Sequence, residues 1–177
     1  MTEDVNSSET SEELQKAIAS GCRMLAIREH SEKQIRTKLQ KKGFSKPIIN
    51  LCVEYLLEHD WLSESRFCNA FIRSRANKGQ GLQRIVAELS QQQIAQSIIT
   101  QELTIEDIDW QSICETTLLK KLSVFPPSDK EGSDRTKQYL TSVTIKKLKK
   151  LENFLRYRGF SNEEIKFATK QYLSIKY

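Results

Sequence analysis

Two histidines, four cysteines and a cluster of carboxylates are the residues of this chain whose types could do covalent or metal chemistry. His30 and His59 have no Cys, Asp or Glu at metal-ligand spacing on a common helical face, so neither nucleates a zinc-type site. Both read as polar residues at helix ends. Cys22, Cys52, Cys68 and Cys114 lie far apart and form no Cys-x-x-Cys pair. That pattern suits four reduced core thiols in a cytoplasmic protein rather than a disulfide framework. Glu102, Glu106, Asp107 and Asp109 are close in sequence, and they fit a helix start, where carboxylates offset the positive dipole end, better than an acid–base pair. Gly79-x-Gly81 has no strand before it and no Lys-Ser/Thr after it, so it reads as a helix break and not a phosphate loop. No GxSxG, P-loop, GxGxxG or HExxH is present. The expectation is a protein that is not an enzyme, with no catalytic residue, no metal and no cofactor.

What remains is the chemistry of cations. The formal net charge of +5 is strongly segregated. Residues 1–20 carry a net −4, residues 21–58 a net +4 and residues 59–100 a net +2. Residues 101–134 then carry −5 and residues 135–177 carry +8. Clustered Lys and Arg release counterions when they meet phosphates, so this asymmetry points to a polyanion or an acidic surface as partner. Ordinary solvated helix faces are the bland alternative.

The elements that must carry these charges are helices. With 177 residues, 38% of them hydrophobic, the chain is one compact domain or a short run of small modules. The 29% charged and 8% aromatic residues suit a helix-rich protein with modest cores, and only 6 Gly and 3 Pro exclude collagen-like and low-complexity architectures. The apolar stretch at residues 48–57 is interrupted by Asn50 and Glu54 and falls far short of the roughly 20 residues of a membrane span. The polar, acidic start has no basic residues followed by an apolar stretch, so no secretory signal is read there.

Apolar residues recur at the 3.6 period nearly everywhere. Leu14, Ala17, Ile18, Cys22, Leu25 and Ala26 stripe a first helix expected to run to about Glu29. Ser31 opens a Ser-x-x-Gln capping box with Gln34 and starts a second, with Ile35 and Leu39 inward and Gly43 as its left-handed terminator. Ser45 and Pro47 open a third, lined by Ile48, Ile49, Cys52, Val53 and Leu56. Phe67, Ala70 and Phe71 stripe a fourth helix, Ile85 and Leu89 a fifth, and Ile94, Ile98, Ile99 and Leu103 a sixth. Shifting the chain by 50 residues places Ile35 on Ile85, Leu39 on Leu89 and Ile49 on Ile99. A shift of 116 places Gly43-Phe44-Ser45 on the identical Gly159-Phe160-Ser161. Trp110, Ile113, Cys114, Leu118 and Leu122 stripe a helix near 107–122, and a long helix of about 37 Å runs from near Asp134 to Arg158. Asp60-Trp61 and Asp109-Trp110 begin the second and third copies, and each tryptophan is expected to wedge between neighbouring repeats.

The expected architecture is therefore all-α: three tandem three-helix, helix-turn-helix-like repeats in an elongated, curved array. Residues 1–13 are expected to be a disordered acidic tail. The repeats are placed at 14–60, 61–105 and 106–177, the last with a mobile inserted loop at 123–133. The helices at 46–58 and 163–175 are poor in basic residues, so they are not base-reading helices. The preceding helices carry the cations instead. Lys33, Thr37, Gln40 and Lys41 point outward in the first repeat, and Lys146, Lys149, Lys150, Asn153 and Arg156 in the third. That pattern suits phosphate contact without sequence reading, or an acidic protein surface. Arg66, Arg73 and Asn77 flank the Phe67/Phe71 stripe, where Arg66 could instead pair with Glu64 or a neighbouring repeat. Lys42 and Arg158 lie beside apolar stripes and are placed to snorkel.

Leu62-Ser63-Glu64-Ser65-Arg66-Phe67, Phe71-Ile72-Arg73-Ser74-Arg75 and Gly79-x-Gly81-x-x-x-Ile85-x-x-x-Leu89 together resemble the central signature of the RecX family. Ser31-x-x-x-Ile35-x-x-x-Leu39-x-x-x-Gly43-Phe44 and Phe154-Leu155-x-Tyr157-Arg158-Gly159-Phe160 resemble its first and last repeats. The resemblance implies a cytoplasmic, monomeric regulator of the RecA recombinase that binds RecA and the RecA–single-stranded-DNA filament. Such proteins mainly suppress ATPase, strand exchange and co-protease activity in recombination, repair and the SOS response. Weak direct DNA binding through phosphates is a further expectation, and a freestanding, non-sequence-specific nucleic-acid-binding helical repeat is the alternative. The candidate contact residues are Lys33, Arg36, Lys41, Arg66, Arg73, Arg75, Lys78, Arg84, Lys146, Lys149, Lys150, Arg156 and Arg158. Two departures stand out. Ser63-Glu64-Ser65 replaces the usual paired aspartates, and Gln91-Gln92-Gln93-Ile94 lacks the usual basic residue and glycine, so a wider turn is expected before Ile94.

Overall fold

The computed structural model describes residues 3–123 and 134–174, and all the regular structure in them is helical. The elements are α1 (Glu3–Leu25), α2 (Glu32–Lys41), α3 (Lys46–Glu58), α4 (Glu64–Asn77), α5 (Leu82–Gln91), α6 (Gln96–Glu106), α7 (Trp110–Ser123), α8 (Asp134–Arg158) and α9 (Asn162–Ser174). None of the described helices is long and apolar enough to cross a membrane. The chain divides into two compact units, Met1–Phe71 with Leu89–Glu106, and Ile72–Glu88 with Asp107–Tyr177. Two of the boundaries fall inside helices, at Phe71/Ile72 in α4 and at Glu88/Leu89 in α5.

In the first unit α1 packs on α2 and α3. Ala17, Ile35, Leu39, Ile48, Cys52 and Leu56 form its centre, with Leu14, Ile18 and Phe44 at the margin. The apolar stripes therefore bury as their spacing requires. α1 and α3 approach closely at Gly21, where a Cβ would lie 2.8 Å from the Leu56 Cδ1. In the second unit α7, α8 and α9 pack together around Cys114, Leu118, Leu155, Phe160, Ile165 and Ala168.

Several expectations need correction. The acidic start is not a disordered tail from residue 3 onward, because α1 begins at Glu3. Glu12 pairs with Lys16 one turn on at 2.7 Å. α1 stops at Leu25, short of Glu29, because Ile27 and Arg28 both turn back onto the Met24 carbonyl. The buried face of α4 is Phe67, Cys68, Ile72 and Ala76, while Ala70 is exposed. Residues 124–133 of the expected inserted loop lie outside the described residues, and Ser123 is the last residue of α7.

The three helix ends that align in sequence close in the same way. Gly43 donates to the Gln40 carbonyl and Phe44 to that of Leu39, the paired bonds of a Schellman cap. Gln93 to Ser90 with Ile94 to Leu89, and Gly159 to Arg156 with Phe160 to Leu155, repeat it. Gly43, Gln93 and Gly159 have φ of 90°, 67° and 92°. The turn before Ile94 is therefore not widened. Gln93 adopts the left-handed conformation itself, at a cost of about 1–2 kcal/mol relative to glycine.

Candidate functional site

Two arginines of the central motif, Arg66 and Arg75, are engaged within the chain. Arg66, at the start of α4, forks across four acceptors. Its Nε donates to Glu29 at 3.1 Å, NH1 to the Asp60 carboxylate at 2.9 Å, and NH2 to the Asp60 and Trp61 carbonyls at 2.6 and 3.2 Å. Glu64 is not its partner. Burial opposes the Arg66 charge, but bonds to Asp60 and Glu29 outweigh it and raise the guanidinium pKa. Arg75 and Arg84 converge on one carboxylate, Glu88, at 3.1 and 2.8 Å. Arg36 bridges Glu32 at 2.7 Å and Asn50 at 2.6 Å.

Arg158 also works inward. Its guanidinium donates to the Lys78 carbonyl at 2.7 Å and lies 5.2 Å from the centroid of the Phe154 ring. Its own carbonyl accepts from the Gly81 amide at 2.9 Å, and the Gly159 carbonyl accepts from Gln83 at 3.1 Å. A Cβ on Gly81 would lie 2.4 Å from the Gly159 carbonyl carbon, and one on Gly79 would lie 2.4 Å from Thr117 Oγ1. Gly79-x-Gly81 is thus a helix break, as read from sequence, and also a place where two backbones touch.

The remaining candidates face solvent. On α2, Lys33, Thr37, Gln40 and Lys41 are exposed, although Lys33 Nζ reaches the Gln91 carbonyl at 2.7 Å. On α8, Lys146, Lys149, Lys150, Asn153 and Arg156 are all exposed, with Arg156 bonded to Asn153 at 2.7 Å. Spacings of three, four and seven put these five on one side of the helix. Arg73 and Lys78 are exposed as well. Lys42, expected to snorkel, holds Ser20 Oγ at 2.5 Å.

Three features escaped the sequence. His30 sits at a helix end, directly before the α2 N-cap Ser31, but is buried at 1% exposure. Its Nδ1 faces the Arg28 carbonyl at 2.8 Å and its Nε2 the Lys38 ammonium at 2.7 Å, which fixes the tautomer protonated on Nδ1. Burial, with the charges of Arg28 and Lys38, holds its pKa below the usual value. Second, Glu102 and Glu106 lie at the end of α6 rather than at a helix start. Glu102 is buried and accepts from Ser65 and Asn69, and Asn69 also reaches Glu106 at 2.8 Å. Asp109 does act as a helix start, accepting from Ser112 N at 3.0 Å. Third, Trp61 is not wedged away from solvent. It is 47% exposed and packs edge-on to Tyr55, beside His59. With Cys22, Leu25, Ala26, Asp60 and Arg66 it lines a shallow cleft of about 360 Å³. Among the described residues no three His, Cys, Asp or Glu side chains gather as a metal site.

Residues 17–56 match the model of the first three-helix domain of RecX, and residues 63–103 that of the second. The regulatory protein RecX of Vibrio vulnificus is 30% identical over 145 residues, covering 82% of this chain and 85% of the relative. That of Pseudomonas fluorescens is 35% identical over 142 residues, covering 80% and 82%. The chain belongs to the RecX family. The crystal structure of RecX from Lactobacillus salivarius shares the fold, with a TM-score of 0.67 at 18% identity over 91% of this chain and 97% of that one.

The family-signature residues Arg66, Gly81, Arg158 and Gly159 thus hold the repeats together, while Lys33 and Lys41 on α2 and Lys146, Lys149 and Lys150 on α8 remain on the surface. Where the chain departs from the family's usual paired aspartates, Ser63 Oγ caps α4 by accepting from Arg66 N at 3.3 Å, and the Ser65 hydroxyl donates to Glu102.

Proposed function

We propose that this protein regulates RecA, mainly as an inhibitor, by binding RecA and the RecA–single-stranded-DNA filament in the cytoplasm. Through that contact it would modulate ATPase, strand exchange and co-protease activity in recombination, repair and the SOS response. We read it as a binding protein that acts as a monomer and not as an enzyme. The observation that carries this reading is membership of the RecX family. The geometry supports it. Arg66, Arg75 and Arg158 are used internally, whereas Lys33 and Lys41 on α2 and Lys146, Lys149 and Lys150 on α8 lie exposed for an acidic or phosphate partner. Several weak contacts along a repetitive polymer add avidity without a single strong site.

RecA's DNA-dependent ATP hydrolysis, measured with substoichiometric protein, tests the reading. Inhibition is expected from the native protein. Reversal of Lys33, Lys41, Lys149 and Lys150 to Glu should weaken filament binding and inhibition while leaving the far-UV circular dichroism unchanged. Full inhibition by this quadruple variant would remove the assignment of those faces, and no effect of the native protein on RecA would remove the reading itself.

A further inference from the structure

We propose that the exposed face of α8 is a platform for single-stranded nucleic acid, on which Tyr157 stacks against a base while the neighbouring lysines hold the backbone. The face carries Lys146, Lys149, Lys150, Asn153 and Arg156, all exposed, and ends at Tyr157. Tyr157 is eleven residues after Lys146 and seven after Lys150. At 100° per residue it falls between them on the same side of the helix. The cations span about 15 Å along the axis, the reach of two or three phosphates of an extended strand. No carboxylate interrupts the face, because Glu152 falls to one side of it and is half-buried.

Tyr157 distinguishes this face from an ordinary lysine-rich surface. It is 76% exposed, the most exposed aromatic residue among the large exposed hydrophobics. Its ring is held in place from below. The Arg84 guanidinium lies 5.1 Å from the ring centroid, and its NH1 donates to the Tyr157 carbonyl at 3.3 Å. Arg84 is in turn fixed by Glu88 at 2.8 Å. The ring thus rests against a positioned cation while most of the residue is open to solvent, an arrangement that can accept a stacked base. Duplex DNA offers phosphates but keeps its bases stacked within the helix. An acidic protein surface offers carboxylates but no regular series of aromatic rings alternating with anionic groups. Cations together with an open aromatic face favour a single strand.

This inference deepens the RecA reading, since it assigns the filament's DNA strand to one face of the protein. It is tested without RecA. Fluorescence anisotropy of the full chain with labelled oligo(dT) should show binding, with duplex of the same length bound more weakly. Tyr157→Ala should lose about tenfold in affinity while Tyr157→Phe keeps it. Lys149→Glu with Lys150→Glu should flatten the salt dependence by about 0.7 in slope for each lost phosphate contact. Unchanged melting temperatures would exclude unfolding as the cause, as expected for exposed side chains. Equal affinity of Tyr157→Ala and native protein for oligo(dT), no binding of oligo(dT), or tighter binding of duplex would each overturn the proposal. Inhibition of RecA without oligo(dT) binding would overturn it and leave the RecA reading standing. Oligo(dT) binding that depends on Tyr157, without any effect on RecA, would do the reverse.

Discussion

The Gly81 amide donates to the Arg158 carbonyl at 2.9 Å, and one repeat earlier the equivalent pair, Ser31 and Gln92, meets through side chains at 3.3 Å. The neighbouring contacts fall at equivalent positions or one residue from them. Lys33 reaches the Gln91 carbonyl and Arg84 reaches the Tyr157 carbonyl. Gln34 donates to Gln92, while Gln83 N donates to Gly159. The start of one repeat's middle helix thus docks on the end of the next repeat's middle helix, once in each compact unit. The second joint is tighter because Gly81 has no Cβ to separate the backbones.

Gly81→Ala is therefore expected to destabilise more than Ser31→Ala. The added Cβ meets backbone, which has little freedom to move, and overpacking of that kind costs about 1–3 kcal/mol. Ser31→Ala loses an N-cap bond to Gln34 and a weak contact to Gln92, about 1 kcal/mol in all. Urea unfolding of the two variants gives the order directly. A neutral Gly81→Ala would contradict the backbone-to-backbone joint.

Gln93→Gly should stabilise the protein. The native residue is held at a φ of 67° that glycine adopts without strain, and Gly43 and Gly159 occupy the equivalent turns. After allowing for the looser unfolded chain, a gain of about 0.5–1 kcal/mol is expected, or a melting temperature about 1–4 °C higher. Gly43→Ala is the mirror experiment. No atom lies within 4 Å of its Cβ position, so its destabilisation would report backbone conformation alone. A lower melting temperature for Gln93→Gly would count against the repeated cap.

Arg66 acts on stability before it acts on any partner. Its fork meets Glu29, Asp60 and the Trp61 carbonyl through three different nitrogens, a geometry that a lysine ammonium does not reproduce. Arg66→Ala should cost about 1–2 kcal/mol after allowance for its partial exposure, and Arg66→Lys should recover little of it. Full recovery by lysine would show that charge alone is what the site requires.

The cysteines should separate by access. Cys52 and Cys68 are buried, which pushes their thiols up to about 11, and Cys114, also buried, is pushed up to about 12. Cys22 is half-buried and lines the open cleft beside Trp61. Thiolate is the reactive form, so a native-state alkylation time course read by peptide mass spectrometry should show Cys22 modified well before the other three. Equal rates for all four would mean that the cores open readily.

How far the sequence carried the fold can be judged from Leu39 and Ala70. Leu39, Ile85 and Leu155 are fully buried because a 3.6 period bounded by a cap and a left-handed terminator leaves one inward face. Ala70 falls on the expected apolar stripe of α4 and yet is exposed, because alanine reports little about which side of a helix it occupies. The outward lysines of α2 and α8 were legible from the same periodicity. The inward role of Arg66, Arg84 and Arg158 was not, since their partners Glu29, Tyr157 and Lys78 lie 37, 73 and 80 residues away. Gln93 shows a further limit. A missing glycine suggested a different turn, whereas the Leu39/Phe44-type contact kept the turn and strained the residue.

His30 makes stability depend on pH in a predictable direction. The folded protein holds it neutral between the Arg28 carbonyl and the Lys38 ammonium, with Glu29 the nearest compensating carboxylate. Its folded pKa is thus below the 6.5 expected for the unfolded chain. Above 6.5 both states are neutral and its contribution is fully present. As pH falls, the unfolded state takes a proton that the folded state refuses, so stability is lost until the folded pKa is passed. The slope cannot exceed about 1.4 kcal/mol per pH unit for one group. His59, exposed and stacked on Tyr55, is the other histidine of the chain and serves as the control. Urea midpoints should drop between about pH 7 and pH 5, and His30→Gln should flatten that drop while His59→Gln leaves it in place. Should His30→Gln fold poorly, the imidazole signal of His30 followed by NMR in the native protein answers the same question. A titration midpoint at or above the ordinary histidine value would show that the Lys38 contact does not hold the ring neutral.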